Sequence, residues 1–174
     1  MNFNFRLAIV ALVSCFVAVE GFAATTDSQK FTVTVPANIS IVAPIDAAIT
    51  HDESNSNQPF PPQSWQVVGN SIAGVSVAFS TGSAFVHKTD PTYKKDVVLG
   101  LSVGTASGPG VWTVNQPTDT TDHTNSDNVA TVTASSNGTT IATFALAVSF
   151  VTGTYGTFPA GDYETTVTGT VTAN

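Results

Sequence analysis

Cysteine, positive charge and helical periodicity are what this chain lacks, and each absence excludes something. Its one cysteine, Cys15, falls in an apolar stretch near the start. The remainder can form no disulfide and do no thiol chemistry, so an apolar core alone has to hold the fold. Only 5 lysines and arginines stand against 12 acidic residues, for a formal net charge of −7. Such a surface does not neutralise phosphates, which argues against nucleic acid and against anionic membrane as partners. Charged residues of both signs are only 10% of the chain, so Ser, Thr, Asn and Gly supply most of its polarity. Past the first stretch, no segment sets apolar residues at i, i+3, i+4 and i+7 between caps, and no helix is expected.

What is present begins with an export signal. Arg6 supplies a positive start, Leu7 to Val19 an apolar run, and Gly21-Phe22-Ala23 a small-x-small cleavage site, so residues 1–23 read as a signal peptide. Cleavage before Ala24 removes Arg6 and Glu20 and leaves residues 24–174 as a single domain with 11 acidic and 4 basic side chains. That is long enough to bury a core without staples. Leu12-Val-Ser-Cys15 resembles a bacterial lipobox, which would make Cys15 a lipid-carrying N-terminus; the apolar Phe16–Val19 that follows favours ordinary cleavage. No later run is long enough to span a membrane. The expected location is extracellular, at the cell surface or in the periplasm.

The rest alternates with period two. Lys30–Val35 sets Phe31, Val33 and Val35 on one face and stops at Pro36; Val75, Val77 and Phe79 form another apolar row, and Val97, Leu99, Leu101 and Val103 a third. Phe144, Leu146, Val148 and Phe150 mark the strongest core strand. Asn137-Gly138 between Val129–Ser135 and Thr140–Val151 predicts a hairpin closed by a type I′ turn. His51–Gln63 and Pro117–Asn128 read as loops. The final stretch puts Tyr163, Thr165, Val167, Gly169, Val171 and Ala173 on one face and Glu164, Thr166, Thr168, Thr170 and Thr172 on the other. Such a strand is either paired or a long edge open to another chain. Short strands at near-regular spacing, without helices between them, predict an antiparallel β-sandwich.

The turn Pro159-Ala-Gly-Asp-Tyr163 into a Thr/Val-rich strand, with Phe31-Thr-Val-Thr-Val-Pro36 near the start, resembles parts of several bacterial exported sandwich families. These are the spore-coat-U-type and other pilin-like subunits, and the WxL cell-wall-binding domains. Thr168-Gly-Thr170 stands where the WxL pattern has Trp-x-Leu, and the cysteine pair of many pilin-like families is missing. The resemblance implies an exported, bacterial, surface-type sandwich.

The residues that could carry chemistry are few. Gly69-Asn-Ser71-Ile-Ala-Gly74 has the wrong glycine spacing for a nucleophile elbow, and His51, His87 and His123 stand in no metal or catalytic spacing. The chain is therefore not expected to be an enzyme. Asp119, Asp122, Asn125 and Asp127 concentrate hard oxygen ligands in one loop, where calcium is the cation that would suit them. The competing reading is a turn-rich loop whose side chains cap its own backbone. Phe60 and Tyr93 are the rings best placed for exposure as ligand contacts, whereas Trp65 and Trp112 sit beside valines and suit the core. Tyr163, Val167 and Val171 mark an edge for assembly by strand addition. The expectation is an all-β, Ig-like or pilin-like sandwich with a structural or surface-interaction role, self-assembling or meeting another cell-surface protein. The alternative is a secreted carbohydrate- or calcium-dependent binding module.

Overall fold

Alternating Val, Leu, Phe and Ala with Thr and Ser suits a pleated chain with one dry face, and strands account for nearly all the regular structure. The computed structural model describes residues 25–174. Residues 1–23, read from the sequence as a signal peptide and including Cys15, lie outside them. Among the described residues the strands are β1 (Ile39–Val42), β2 (Gln58–Pro59), β3 (Gln63–Gly69), β4 (Val75–Thr81), β5 (Phe85–His87), β6 (Lys94–Lys95) and β7 (Val97–Ser107). They continue as β8 (Trp112–Gln116), β9 (Thr118–Thr120), β10 (Thr131–Ser136), β11 (Thr140–Phe150), β12 (Tyr163–Glu164) and β13 (Val167–Ala173). One 3₁₀ turn spans His123–Asn125. No helix among the described residues is long and apolar enough to cross a membrane.

Val35–Asn174 form one compact unit, an all-β antiparallel sandwich. One sheet runs β1-β3-β11-β7-β9, with β2 added to β11; the second runs β13-β4-β10-β8; a small third sheet runs β12-β5-β6. Between the two large sheets, Trp65, Leu99, Phe144 and Leu146 of the first meet Val77, Phe79 and Val132 of the second. Phe79 stands edge-on to Trp65 at 5.2 Å and tilted to Phe144 at 5.9 Å between centroids. Trp112 stands at 90° to Phe144, 4.8 Å away, and its indole N–H donates to Thr140 Oγ1 at 3.0 Å. Both tryptophans are thus packing residues.

Three sequence expectations are corrected. Lys30–Val35 is no strand: residues 25–38 carry no regular structure, and Phe31, Val33 and Val35 are 82%, 88% and 76% exposed. Covering each such side chain would contribute roughly 1.5–3 kcal/mol, a stabilisation that the described chain leaves unrealised. Second, Asn137-Gly138 closes no hairpin. β10 pairs with β4 and β8, whereas β11 pairs with β3, β7 and β2, so the turn carries the chain from one sheet to the other. Asn137 has no positive φ. Instead its side chain accepts from Val111 N–H at 2.8 Å, and Gly110 N–H donates to Thr139 O at 3.0 Å. A local type I′ preference yields here because both strands must face the same interior from opposite layers. Third, neither His51–Gln63 nor Pro117–Asn128 is all loop, since Gln58–Pro59 pairs with β11 and Thr118–Thr120 with β7.

The crossing also explains Gly74. With φ +87°, it lies so close to the 136–138 backbone that an added Cβ would fall 2.0 Å from Ser136 O. Gly156 has φ +82° but open space around it. Gly74→Ala is expected to lower stability by at least about 2 kcal/mol, and Gly156→Ala by about 1 kcal/mol, the left-handed penalty alone. Urea midpoints of the two variants check this; equal losses would mean that the crossing is not tight.

Candidate functional site

A sandwich leaves four strands at its sheet edges, and here they differ in protection. β9 has three residues and carries Asp119, β1 has four, and β8 has five beside a register shift at Thr133/Ala134. β13 has seven residues, Val-Thr-Gly-Thr-Val-Thr-Ala, with no charge, no proline and an unbroken register against β4. Natural edges are blunted by charge, proline, bulges or shortness. β13 has none of these devices.

The ladder shows which backbone groups the edge offers. Asn174 N–H donates to Gly74 O at 3.1 Å and Gly82 N–H to Thr166 O at 3.0 Å. In an antiparallel pair such exchange recurs at every second residue. Thr168, Thr170 and Thr172 therefore turn their N–H groups to β4, and Val167, Gly169, Val171 and Ala173 turn theirs outward. Among the described residues, no strand pairs with that outer side. On the inner face Val167 and Val171 pack against the core, while Gly169 lies against Ile41 and Trp65, so close that a Cβ would come within 2.7 Å of Ile41 Cδ1. On the outer face, three rows cross the sheet: Thr168-Ser80-Thr131, Thr170-Ala78-Thr133 and Thr172-Ser76-Ser135. That surface is hydroxyl-rich and uncharged.

A groove of about 450 Å³ opens at the Val167 end of β13, lined by Phe60, Trp65, Phe85, Val148 and Tyr163 together with the stretch after β1. Phe60 stacks on Phe85, 5.9 Å between centroids and 8° from parallel. Ile45, on the stretch after β1, is 91% exposed. Asp46 and Glu164 bring negative charge to the lining, and Glu164 pairs with Lys88 at 2.9 Å. That hydrogen bond raises the pKa of the Lys88 ammonium.

The structure joins some of the sequence-predicted residues and separates others. Phe60, Tyr163 and Val167 meet at the groove. Tyr93 does not; it is 44% exposed and stands 6.3 Å from the ring of His87. Tyr163 and Val167 are not on one strand, because the terminal alternation breaks at Thr165-Thr166: β12 pairs with β5 and β13 with β4. Tyr163 donates its hydroxyl to Pro159 O at 3.1 Å, and burial first, then the charges of Tyr93 and Asp90, push its pKa up.

In the acidic loop the side chains bond mostly to their own surroundings. Asp119 accepts from Thr120 N–H at 2.9 Å and Thr131 N–H at 2.7 Å. Asp122 accepts from the Thr124 hydroxyl and the Asn125 amide, both at 2.6 Å, and meets Asp127 through two backbone hydrogen bonds. Among the described residues no group of three or more His, Cys, Asp or Glu side chains is placed to hold a metal ion. The histidines stand apart, each tied to a turn. His51 bonds Thr152 Oγ1 at 2.9 Å and stacks on Tyr155; His87 accepts from Thr89 and Asp90 N–H; His123 Nδ1 meets Asp96 at 2.9 Å. Lys95 donates to Thr152 O and lies 4.7 Å over the Phe158 ring, and burial lowers its pKa.

Three exposed turns have an expected acid response. The Thr124 hydroxyl and Asn125 lower the pKa of Asp122, Ser54 that of Asp52, and Thr92 that of Asp90. A carboxyl depressed in the folded chain stabilises above its unfolded pKa, about 3.9, and that contribution is lost as pH falls through the folded value. Carboxyl carbon shifts followed from pH 5 to pH 2 are expected to give midpoints below the unfolded value at all three. Midpoints at that value would contradict the bonded turns.

Sequence reasoning missed two features. The groove lies where chain-distant strands meet, so no local pattern marks it. Asp96 accepts three hydrogen bonds at one oxygen, yet in sequence it is one carboxylate between Lys94-Lys95 and an apolar run. Comparison with protein-family models, with curated proteins and with solved structures finds no match to this chain.

Proposed function

We propose that this is an exported, non-enzymatic structural or surface-interaction protein, and that its working surface is the free edge of β13. The observation that carries this reading is the edge itself: seven uncharged residues in unbroken register, with the N–H groups of Val167, Gly169, Val171 and Ala173 turned outward. Main-chain groups presented in this way take up an added strand, which draws affinity from the ladder and specificity from alternate side chains. The groove at the Val167 end gives a large side chain of the added strand a place to lie.

Val171→Pro tests the reading. It removes one outward N–H while leaving β13's bonds to β4 in place. Sedimentation of the exported protein over a range of concentrations is expected to show associated species that this variant loses. An unchanged distribution in a variant with a normal far-UV spectrum would reject the edge as the contact.

A further inference from the structure

We infer that the strand added to the edge of β13 is β13 of a second copy of this chain, antiparallel to the first about a two-fold axis at Thr170. Two copies then close into a symmetric dimer in which their four-stranded sheets join as one. This rests on the edge reading above, and three observations identify the occupant.

The first is that the edge complements itself in one register. With Thr170 opposite its own counterpart, all seven residues of β13 find a mate. The outward groups of Val167 and Gly169 meet those of Ala173 and Val171 of the second copy. On the outer face Thr168 faces Thr172 of the second copy and Thr170 faces Thr170, pairs that suit neighbouring strands. On the inner face each valine meets a small residue, Val167 with Ala173 and Val171 with Gly169. An axis at Gly169 or Val171 would set valine against valine and leave one end unpaired. An axis between residues would set outward backbone groups against inward ones.

The second is charge. With a formal net charge of −7, copies repel one another unless the contact keeps carboxylates apart. Asp46 and Glu164 line the groove at the Val167 end. Around Ala173 the neighbouring stretches, Ser71–Val75 and Ser136–Gly138, carry no charge. The antiparallel arrangement sets each acidic end beside the neutral end of the other copy. The third is where apolar side chains are left in water. Ile45 and Ile72, 91% and 94% exposed, are the two most exposed large hydrophobic residues among those described. Ile45 stands at the groove with Val167, and Ile72 in the turn that leads to Val75, which pairs with Ala173. They mark opposite ends of the edge, so the two-fold brings Ile45 of each copy to the turn that carries Ile72 of the other. Such a contact uses one patch on both copies and closes on itself.

Cysteines placed along the outer row test the register. Thr168, Thr170 and Thr172 are exposed, so their replacement leaves the sandwich folded. Across the joint they fall at non-hydrogen-bonded positions, where opposite Cα atoms lie about 4.5 Å apart, within the roughly 4.4–6.8 Å that a disulfide spans. Under mild oxidation Thr170→Cys is expected to link two copies nearly completely. Thr168→Cys and Thr172→Cys should each link poorly alone and readily to one another when mixed. Mass spectrometry of the linked peptides distinguishes these bonds from any made by Cys15, the chain's native cysteine. By light scattering the unaltered protein, purified from its own cells, is expected to reach a doubled mass and no more. Ile72→Asp, in an exposed turn, should raise the dissociation constant by about tenfold or more. If Val171→Pro abolishes association while Thr170→Cys links no better than Thr168→Cys, the edge reading stands and the symmetric partner is rejected. A mass that grows past the double, or a single-copy mass at every concentration, overturns the inference.

Discussion

Replacing Phe144 with alanine is expected to lower unfolding free energy by about 3–5 kcal/mol, the usual loss for a fully buried aromatic. Phe144 is 0% exposed at the middle of β11, with Phe79 across the layers on one side and Trp112 edge-on to it. Removing it opens a cavity between sheets that no neighbour on a paired strand can easily fill. In a chain of this size each kcal/mol lowers the melting temperature by about 2–4 °C. Ile141 provides the contrast. It lies on the opposite face of the same strand, is 47% exposed, and as Ile141→Ala should change stability by less than about 0.5 kcal/mol. Denaturant unfolding followed by tryptophan fluorescence measures both. Equal losses would mean that the parity of β11 is wrong.

Asp96→Ala is the second large effect, and it reaches stability through a loop instead of the core. One oxygen of Asp96 accepts from the Thr121 hydroxyl at 2.9 Å, His123 N–H at 2.8 Å and His123 Nδ1 at 2.9 Å. Thr121 is 2% exposed, and its hydroxyl oxygen accepts from Val97 N–H at the start of β7. Alanine leaves these donors unmatched in a place water reaches poorly, at about 1–3 kcal/mol for each buried group. The expected total is roughly 3 kcal/mol, since part of the site is open enough for water to replace one bond. Amide protection should fall first in 119–128 and persist along β7 and β11. Uniform loss of protection would mean that Asp96 supports the sheets directly and not through the loop.

Much of the sandwich was legible because each central strand has one dry face. The rows Val75-Val77-Phe79, Leu99-Leu101 and Phe144-Leu146 fix which side chains enter the core, and period two suffices to see them. Pairing was less legible, because a strand's alternation does not say which sheet it joins. Asn137-Gly138 illustrates this: its turn preference is local, while the crossing between layers is imposed by Val111, Gly74 and the shared interior. Lys30–Val35 errs the other way, since its pattern has the form of a core strand but no strand among the described residues pairs with it. At the candidate site, Val167 and Val171 were visible as an alternating row. The phase of the backbone ladder depends on Gly74 and Gly82, residues remote in sequence, and so could not be read. Asp96 and the groove carry no local signature at all.

The central claim is that the outer side of β13 is where this protein meets its partner, and residue-resolved hydrogen exchange tests it most directly. In associated material from the protein's own cells, the amides of Val167, Gly169, Val171 and Ala173 are expected to be protected along with those of Thr168, Thr170 and Thr172. After dissociation by dilution the first four should exchange fast, while the three threonines stay protected by β4. An alternating pattern that persists unchanged in the associated material would contradict the claim and place the contact elsewhere on the molecule.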